Sequence, residues 1–165
     1  MKREEIKRLV IMDFDGTLMA TMTPDIGKPI WEEAKGIEWP HIGWWSKEES
    51  LDTLVFGSEP IDKVVDAYRS EVGKEGTHMV MMTGRQPKLG DKVKAMLHEH
   101  DLIFDEYIFN GGGSTISYKL KRLDQFIQEF PKLETLEIWE DREPHTQVFN
   151  EWGETQIINI TVHQV

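Results

Sequence analysis

Residues 7–14 read Lys-Arg-Leu-Val-Ile-Met-Asp-Phe, and the chain continues through Asp15-Gly16-Thr17-Leu18. The apolar run in this stretch is typical of a strand that is buried on both faces of a parallel sheet. Asp13 therefore falls at the carboxyl end of the strand, and Asp15 follows two residues later. Gly16 can adopt a positive φ and turn the chain. The stretch predicts a buried strand that ends in two closely spaced carboxylates.

Four further short apolar runs predict four more strands, at residues 78–83, 106–109, 136–139 and 156–160. Apolar residues recur at helical spacing between them, over 61–72, 89–97 and 120–130, and a shorter helix is predicted from Pro144. Strands that alternate with helices predict an α/β fold, a Rossmann-like, doubly wound and mainly parallel five-stranded sheet. In such folds the active site lies beyond the carboxyl ends of the strands.

Residues 18–60 interrupt this alternation. They show little periodicity and hold four of the six tryptophans of the chain, Trp31, Trp39, Trp44 and Trp45. We interpret them as a small aromatic-rich insertion, or flap, after the first strand. The length of 165 residues fits a single domain over 1–165. Two functions of Trp44 and Trp45 stay open, because an indole here can stack on a substrate base or pack the insertion onto the sheet.

Composition excludes several classes of function. The chain has no cysteine, so disulfides are excluded and a metal must be held by oxygen or imidazole ligands, which favours a hard ion such as Mg²⁺. The formal net charge of −11 argues against broad binding to polyanions. No membrane-spanning run or signal peptide is recognised, which gives the expectation of a cytoplasmic protein with no membrane contact. No obligate protein partner is evident.

The segment from Asp13 to Leu18 resembles the first motif of the haloacid dehalogenase (HAD) superfamily, an apolar strand that ends in Asp-x-Asp-Gly-Thr-Leu. The resemblance implies a second motif, a strand that ends in Ser or Thr, and Met81-Met82-Thr83-Gly84-Arg85 matches it. The Thr83 hydroxyl would bind a phosphoryl oxygen, and Gly84 would let the backbone approach the substrate. Arg85 is a further candidate for substrate binding.

The resemblance also implies a lysine at the start of a later helix and an acidic strand end. Lys119 follows the loop Gly111-Gly112-Gly113 and is the candidate lysine, with Lys121 as a rival. The fourth motif is matched by Ile138-Trp139-Glu140-Asp141-Arg142. The implied Mg²⁺ would be held by Asp13, Asp141 and the backbone carbonyl of Asp15, with assistance from Glu140.

For this superfamily the resemblance implies a Mg²⁺-dependent phosphomonoesterase. Asp13 would attack phosphorus and form an aspartyl-phosphate, while Asp15 would protonate the leaving oxygen and later accept a proton from water. Lys119 would neutralise charge between the nucleophile and the phosphoryl group.

Within the superfamily the chain is similar to small phosphatase domains of the Swiss Army Knife type, which are associated with RNA repair. The similarity rests on Gly43-Trp44-Trp45, on 115–119 and on Glu140-Asp141-Arg142-Glu143-Pro144-His145. It implies an end-healing phosphatase whose substrate is the 3′-phosphate end of RNA or DNA. Arg142 and His145 are candidate substrate contacts, although His145 can equally orient its loop. A further hypothesis is a local path of basic side chains that binds the phosphates of the substrate, formed by Arg85, Lys88, Lys92, Lys121 and Arg122.

Three alternatives stay open. The first is a phosphatase of the same superfamily that acts on a free nucleotide or small metabolite. The second is a receiver-like signalling module. In receivers the first strand ends in adjacent acids, whereas here it ends in Asp-x-Asp, which argues against this alternative. The third is a catalytically inactive fold used for binding, although no catalytic residue of the motifs is missing.

Overall fold

A computed structural model describes residues 2–165, and the part of the chain that it describes folds into five strands and six α-helices. The strands are β1 (Arg8–Met12), β2 (Thr77–Met82), β3 (Glu106–Ile108), β4 (Thr135–Glu140) and β5 (Asn159–Gln164). The helices are α1 (Pro24–Lys35), α2 (Thr53–Phe56), α3 (Asp62–Glu71), α4 (Gly90–His98), α5 (Thr115–Glu129) and α6 (Glu143–Glu154). Short 3₁₀ turns lie at Arg3–Glu5, Glu48–Leu51 and Pro87–Leu89. The predicted α/β fold is confirmed.

The strand order is β3-β2-β1-β4-β5, and every neighbouring pair is parallel. The chain first builds outward from β1 through β2 to β3, and then returns to the other side of β1 with β4 and β5. This reversal opens a crevice between the carboxyl ends of β1 and β4, where doubly wound sheets bind ligands. The fold therefore brings the ends of the first and fourth predicted strands together.

The two faces of β1 explain why this strand has no polar residue in its interior. Val10 and Met12 pack in the cluster under α3 and α4, whereas Leu9 and Ile11 pack in the cluster under α5 and α6. Side chains alternate between the faces of a strand, so covering both faces with helices requires apolar residues at successive positions.

Two elements differ from their predicted ranges by three residues or more. The fifth strand covers Asn159–Gln164 and not 156–160, because α6 continues to Glu154 and Ile157 points into solvent. As an edge strand β5 is only half buried and alternates apolar with polar residues, so the apolar run at 156–160 covers only its first two residues. Helix α5 begins at Thr115, earlier than the apolar spacing from Leu120 predicts, because the Ser114 hydroxyl caps it by accepting from the Ser117 amide.

Two backbone hydrogen bonds hold the two ends of the insertion together. The Ala20 amide donates to the Glu59 carbonyl at 2.8 Å, and the Ile61 amide donates to the Leu18 carbonyl at 2.9 Å. The insertion contains α1, a helix that the sequence pattern does not predict. Its core is an aromatic cluster, which we define as Trp31, Trp39, Trp44 and Phe56, with ring centroids 4.8 to 5.8 Å apart between neighbours. The single-domain organisation stays a prediction. Across residues 2–165, no helix combines the length and the apolar character needed to cross a membrane.

Candidate functional site

A cleft of about 370 Å³ lies beyond the carboxyl ends of β1, β2 and β4. Most of the predicted site residues line it, together with Gly16 and three threonines of the insertion and α5. The lining residues are Asp13, Asp15, Gly16, Thr21, Thr23, Trp45, Gly84, Arg85, Thr115, Lys119, Glu140, Asp141, Arg142 and His145.

Asp13 is the first residue after β1, and its amide donates to the Trp139 carbonyl of the neighbouring strand. Lys119 reaches it from the second turn of α5. The Lys119 Nζ lies 3.0 Å from Asp13 Oδ1 and 2.9 Å from Glu140 Oε2, and the lysine is only 2% exposed. The rival Lys121 is exposed and does not line the cleft. The structure therefore brings Lys119, and not Lys121, beside Asp13.

Burial and charge act against each other at this pair. Burial raises the pKa of Asp13, Lys119 opposes that shift, and the charges of Glu140 and Asp15 add to it. For Lys119 burial acts to lower the pKa, but the charges of Asp13 and Glu140 outweigh it, and the pKa is raised. Asp13 and Glu140 thus stabilise the charged form of Lys119, although burial of these carboxylates in the protein is itself unfavourable.

Asp13, Glu140 and Asp141 form a cluster, in which one carboxylate oxygen from each lies within 4.8 Å of the others. We call these three residues the acid cluster. Burial, followed by the charge of Glu140, raises the pKa of Asp141. When all three carboxylates are ionised, the single ammonium of Lys119 leaves two of their negative charges uncompensated. Oxygen ligands with that excess charge fit a hard divalent ion such as Mg²⁺.

Gly16 makes room for the acid cluster. Its φ is +71°, and a Cβ at this position would lie 2.3 Å from Asp141 Oδ2. Both the backbone conformation and the close approach of Asp141 therefore require glycine after Asp15. The carboxylate of Asp15 is not part of the acid cluster. Its predicted contribution to the metal was its backbone carbonyl, and that stays a prediction.

The Asp15 carboxylate faces Arg85, which lies three residues beyond the end of β2. The Arg85 guanidinium donates to it from Nη2 at 2.7 Å and from Nε at 3.0 Å, and the Thr21 hydroxyl donates at 2.7 Å. Arg85 Nη1 also donates to the insertion, to the Trp45 carbonyl at 2.9 Å and the Ser50 hydroxyl at 2.7 Å. Arg85 is 2% exposed, so this buried guanidinium joins Asp15 to the insertion.

Thr83 and Gly84 lie at the end of β2. Thr83 is buried and accepts from the Arg85 amide at 3.2 Å, so its predicted contact with a phosphoryl oxygen stays a prediction. Gly84 lines the cleft, and a Cβ there would lie 2.5 Å from the Thr115 hydroxyl oxygen. Glycine at this position allows β2 and the start of α5 to approach closely.

The two neighbouring tryptophans differ in their surroundings. Trp44 is 3% exposed, belongs to the aromatic cluster and donates from its indole nitrogen to the Met22 carbonyl at 3.0 Å. Trp45 is 43% exposed, lines the cleft and lies over Arg85, whose Cζ is 5.2 Å from the ring centroid. The predicted substrate contact by Trp44 is therefore wrong for this conformation, because packing inside the insertion buries its ring. Trp45 is the indole that a ligand can reach.

Arg142 and His145 flank the acid cluster on the β4 side. Arg142 is the exposed residue that precedes α6, and His145 lies in the first turn of that helix. His145 Nδ1 is 3.8 Å from Glu140 Oε1. Burial lowers the pKa of His145, Arg142 and Lys119 act in the same direction, and Glu140 opposes them.

The predicted phosphate path is not continuous. Lys88 and Lys92 lie on or next to α4, and Lys121 and Arg122 lie on α5, which covers the opposite face of the sheet. Of the proposed set only Arg85 lines the cleft. Sequence reasoning also missed Thr21 and Ser50, which hold Asp15 and Arg85, because they lie in a segment without periodicity.

Known proteins resemble this chain in sequence pattern and in fold. A family model described as HAD domain family 1 in Swiss Army Knife RNA repair proteins matches residues 35–164. The match includes Thr83, Lys119 and Asp141 and begins after Asp13. A solved hydrolase of the haloacid dehalogenase-like family, from Streptococcus pneumoniae, is similar over 96% of this chain and 94% of its own, with a TM-score of 0.52 and 13% identity. That likeness shows the fold. No curated protein matches the chain.

Proposed function

This chain belongs to the family of HAD domains found in Swiss Army Knife RNA repair proteins, and we propose that it is a Mg²⁺-dependent phosphomonoesterase with Asp13 as its nucleophile. The membership makes it a HAD-type hydrolase. The observation that carries the finer proposal is the position of Asp13, at a buried strand end, 3.0 Å from Lys119 and next to two further acids.

In the proposed reaction a carboxylate oxygen of Asp13 attacks phosphorus in line, and the bond from phosphorus to the ester oxygen breaks. The leaving oxygen takes a proton from Asp15, which yields the alcohol product and an aspartyl-phosphate. A water molecule then gives its proton to Asp15 and attacks phosphorus, which releases phosphate and restores Asp13. Lys119 offsets the charge that accumulates between the carboxylate and the phosphoryl group.

Asp13 and Asp141 are the proposed side-chain ligands of Mg²⁺, with Glu140 nearby. When bound, the ion would offset the repulsion between the phosphoryl oxygens and the carboxylates. Its two positive charges match the two that the acid cluster leaves uncompensated.

Asp15 needs a change of partner to act as the acid. In the described conformation both of its carboxylate oxygens accept from Arg85. A carboxyl group that carries a proton presents one acceptor oxygen fewer. We therefore propose that Arg85 shifts from Asp15 when substrate enters, and that its guanidinium then becomes available to a phosphoryl oxygen.

The proposed substrate is the 3′-phosphate end of a polynucleotide. Trp45 supports this substrate class, because its exposed ring borders the cleft and offers a stacking surface for a base. In single-strand binders such stacking contributes about 1 to 3 kcal/mol per base. A free nucleotide or small metabolite is the second candidate, and the net charge of −11 favours it because long-range repulsion opposes a polyanion.

Phosphate release tests the proposal, with 3′-phosphorylated oligonucleotides, 5′-phosphorylated oligonucleotides, nucleotides and sugar phosphates compared at equal concentration. We expect release that depends on Mg²⁺, is fastest on 3′-phosphate ends and disappears in Asp13→Asn. Faster release from small phosphates would retain the mechanism and reject the polynucleotide substrate. No Mg²⁺-dependent release from any compound would reject the phosphatase.

A second readout does not require activity. Mg²⁺ that binds the folded protein raises its melting temperature, and we expect Asp141→Asn to reduce that rise. An equal rise in both proteins would reject the acid cluster as the metal site. The cytoplasmic location stays a prediction.

A further inference from the structure

We propose that the cleft holds a second phosphate-binding subsite, centred on Arg142 with His145 beside it, which binds the phosphate one nucleotide away from the one that is removed. In a 3′-phosphate end this second group is the phosphodiester on the 5′ side of the terminal nucleoside. The inference rests on the proposed function and defines the smallest substrate that the site would prefer.

The charges of the cleft single out Arg142. Three cationic side chains line the cleft, and two of them are already paired. Lys119 is held between Asp13 and Glu140, and Arg85 is held by Asp15 and the insertion. Within residues 2–165, the Arg142 guanidinium makes no ion pair and no side-chain hydrogen bond. It is the one cation of the described cleft that a ligand can use without displacing a protein partner.

His145 provides an independent sign of a missing partner. It lines the cleft and is 8% exposed, and its Nδ1 is buried without a hydrogen-bond partner among the described residues. The nearest acid oxygen, Glu140 Oε1, is 3.8 Å away, beyond hydrogen-bonding distance. Buried polar atoms without a partner are rare in folded proteins. Rotation of the imidazole toward the cleft would present this atom to the oxygen acceptors of a ligand.

The start of α6 favours an anion at the same place. Arg142 is the residue before this helix of 12 residues, and the amino end of a helix carries partial positive charge. Glu143, in the first turn, opposes this effect, but its side chain is exposed to solvent. The carboxylates of the acid cluster also oppose it, until a divalent ion compensates their excess charge.

The strand order sets the distance between the two phosphates. Asp13 follows β1 directly, and Arg142 lies two residues beyond β4, the next strand in the sheet. Neighbouring strands lie about 5 Å apart. An arginine in this position can therefore contact a group several ångströms from phosphorus over Asp13, on the side away from Trp45 and Arg85. A base on Trp45 and a phosphate on Arg142 would occupy opposite flanks of the nucleophile.

The test compares a nucleoside 3′-monophosphate with the corresponding 3′,5′-bisphosphate and with a dinucleotide that carries a 3′-phosphate. We expect the wild-type kcat/KM to be about tenfold or more higher for the last two compounds, because a charge-assisted contact to phosphate is made only with them. Arg142→Gln should remove most of this preference, and Arg142→Lys should retain part of it. The matched control is Arg69→Gln, an exposed arginine in the last turn of α3. This helix leads to the amino end of β2, at the end of the sheet away from the cleft.

Two outcomes would overturn the subsite. If Arg142→Gln lowers kcat/KM equally for the monophosphate and the bisphosphate, Arg142 contacts the phosphate that is removed. If the wild-type protein shows no preference for the bisphosphate, a second phosphate contact is excluded. If no compound is hydrolysed, the proposed function fails. The subsite is then tested by measuring the binding affinities of the same compounds. In that case Asp13→Asn should bind the bisphosphate more tightly than the monophosphate, and equal affinities would reject the subsite.

Discussion

The acid cluster and the insertion face each other across one cleft, but they are held in place by different forces. The acid cluster lies at the ends of β1 and β4, where the ladder that pairs Met12 with Trp139 determines the backbone positions. The insertion is held by its aromatic cluster and by contacts such as those of Arg85 with Trp45 and Ser50. The positions of the proposed reactive atoms thus depend on the sheet, and the surface around them depends on a few side chains.

The largest effect is expected from removing the charge that balances the acid cluster. Lys119→Met leaves Asp13 and Glu140 buried without their cation, and breaking a buried pair in this way costs about 3 to 5 kcal/mol. Urea unfolding at neutral pH, without divalent ions, measures the free energy of unfolding. Lys121→Met, two residues away and exposed, is the control and should change it by less than about 0.5 kcal/mol. Equal losses would show that the cluster does not depend on this ammonium.

Arg85→Gln tests the connection between the two regions. It removes the ion pair to Asp15 and weakens the hold on Trp45 and Ser50, at an expected cost of about 2 kcal/mol. We expect protease cleavage within the insertion to become faster, while the core of the sheet stays protected. Uniform cleavage over the whole chain would mean that the insertion and the sheet unfold as one unit.

The next prediction separates the two tryptophans. Trp45→Ala should weaken the binding of 3′-phosphorylated oligonucleotides by about 1 to 3 kcal/mol, since it removes the stacking surface. Its free energy of unfolding should change little. Trp44→Ala should do the reverse, because it leaves a cavity within the aromatic cluster, where losses of about 3 kcal/mol are usual for large aromatic residues. Equal effects of both changes on binding would reject Trp45 as the stacking surface.

The smallest effect is expected far from both regions, at the start of β3. The hydrogen bond from His78 lowers the pKa of Glu106, and partial burial opposes the shift. A carboxyl whose folded pKa is lowered stabilises the protein above its unfolded pKa, and this contribution is lost as the pH falls through the folded value. Glu106→Gln should therefore cost less than about 0.5 kcal/mol at pH 7, and progressively less as the pH falls below the unfolded pKa of the carboxyl. A larger loss in the free energy of unfolding at lower pH would contradict the lowered pKa of Glu106.

The strand ends were predictable because each depends on a short local pattern. An apolar run before Asp13 and a glycine after Asp15 define that corner, and similar runs precede Thr83 and Glu140. The position of β5 was not predictable in the same way, because an edge strand does not need a continuous apolar run.

The insertion shows where local patterns are insufficient. Helix α1 contains Gly27 and Pro29, which interrupt a helical pattern in sequence. The structure explains Gly27, because a Cβ there would lie 2.3 Å from the Trp44 ring. The contacts of Arg85 with Asp15, Trp45 and Ser50 join distant parts of the chain, and no local signal indicates such contacts.

The pairing of β1 with β4 also has a consequence for folding kinetics. β1 can pair with β2 once α3 has formed. Its other neighbour, β4, consists of residues more than 120 positions later in the chain. Contacts between residues so distant in sequence form slowly, because a long loop must close first. The same step brings Glu140 and Asp141 to Asp13. We therefore expect regained Mg²⁺ binding during refolding to follow the slowest phase, after most of the helical signal has returned.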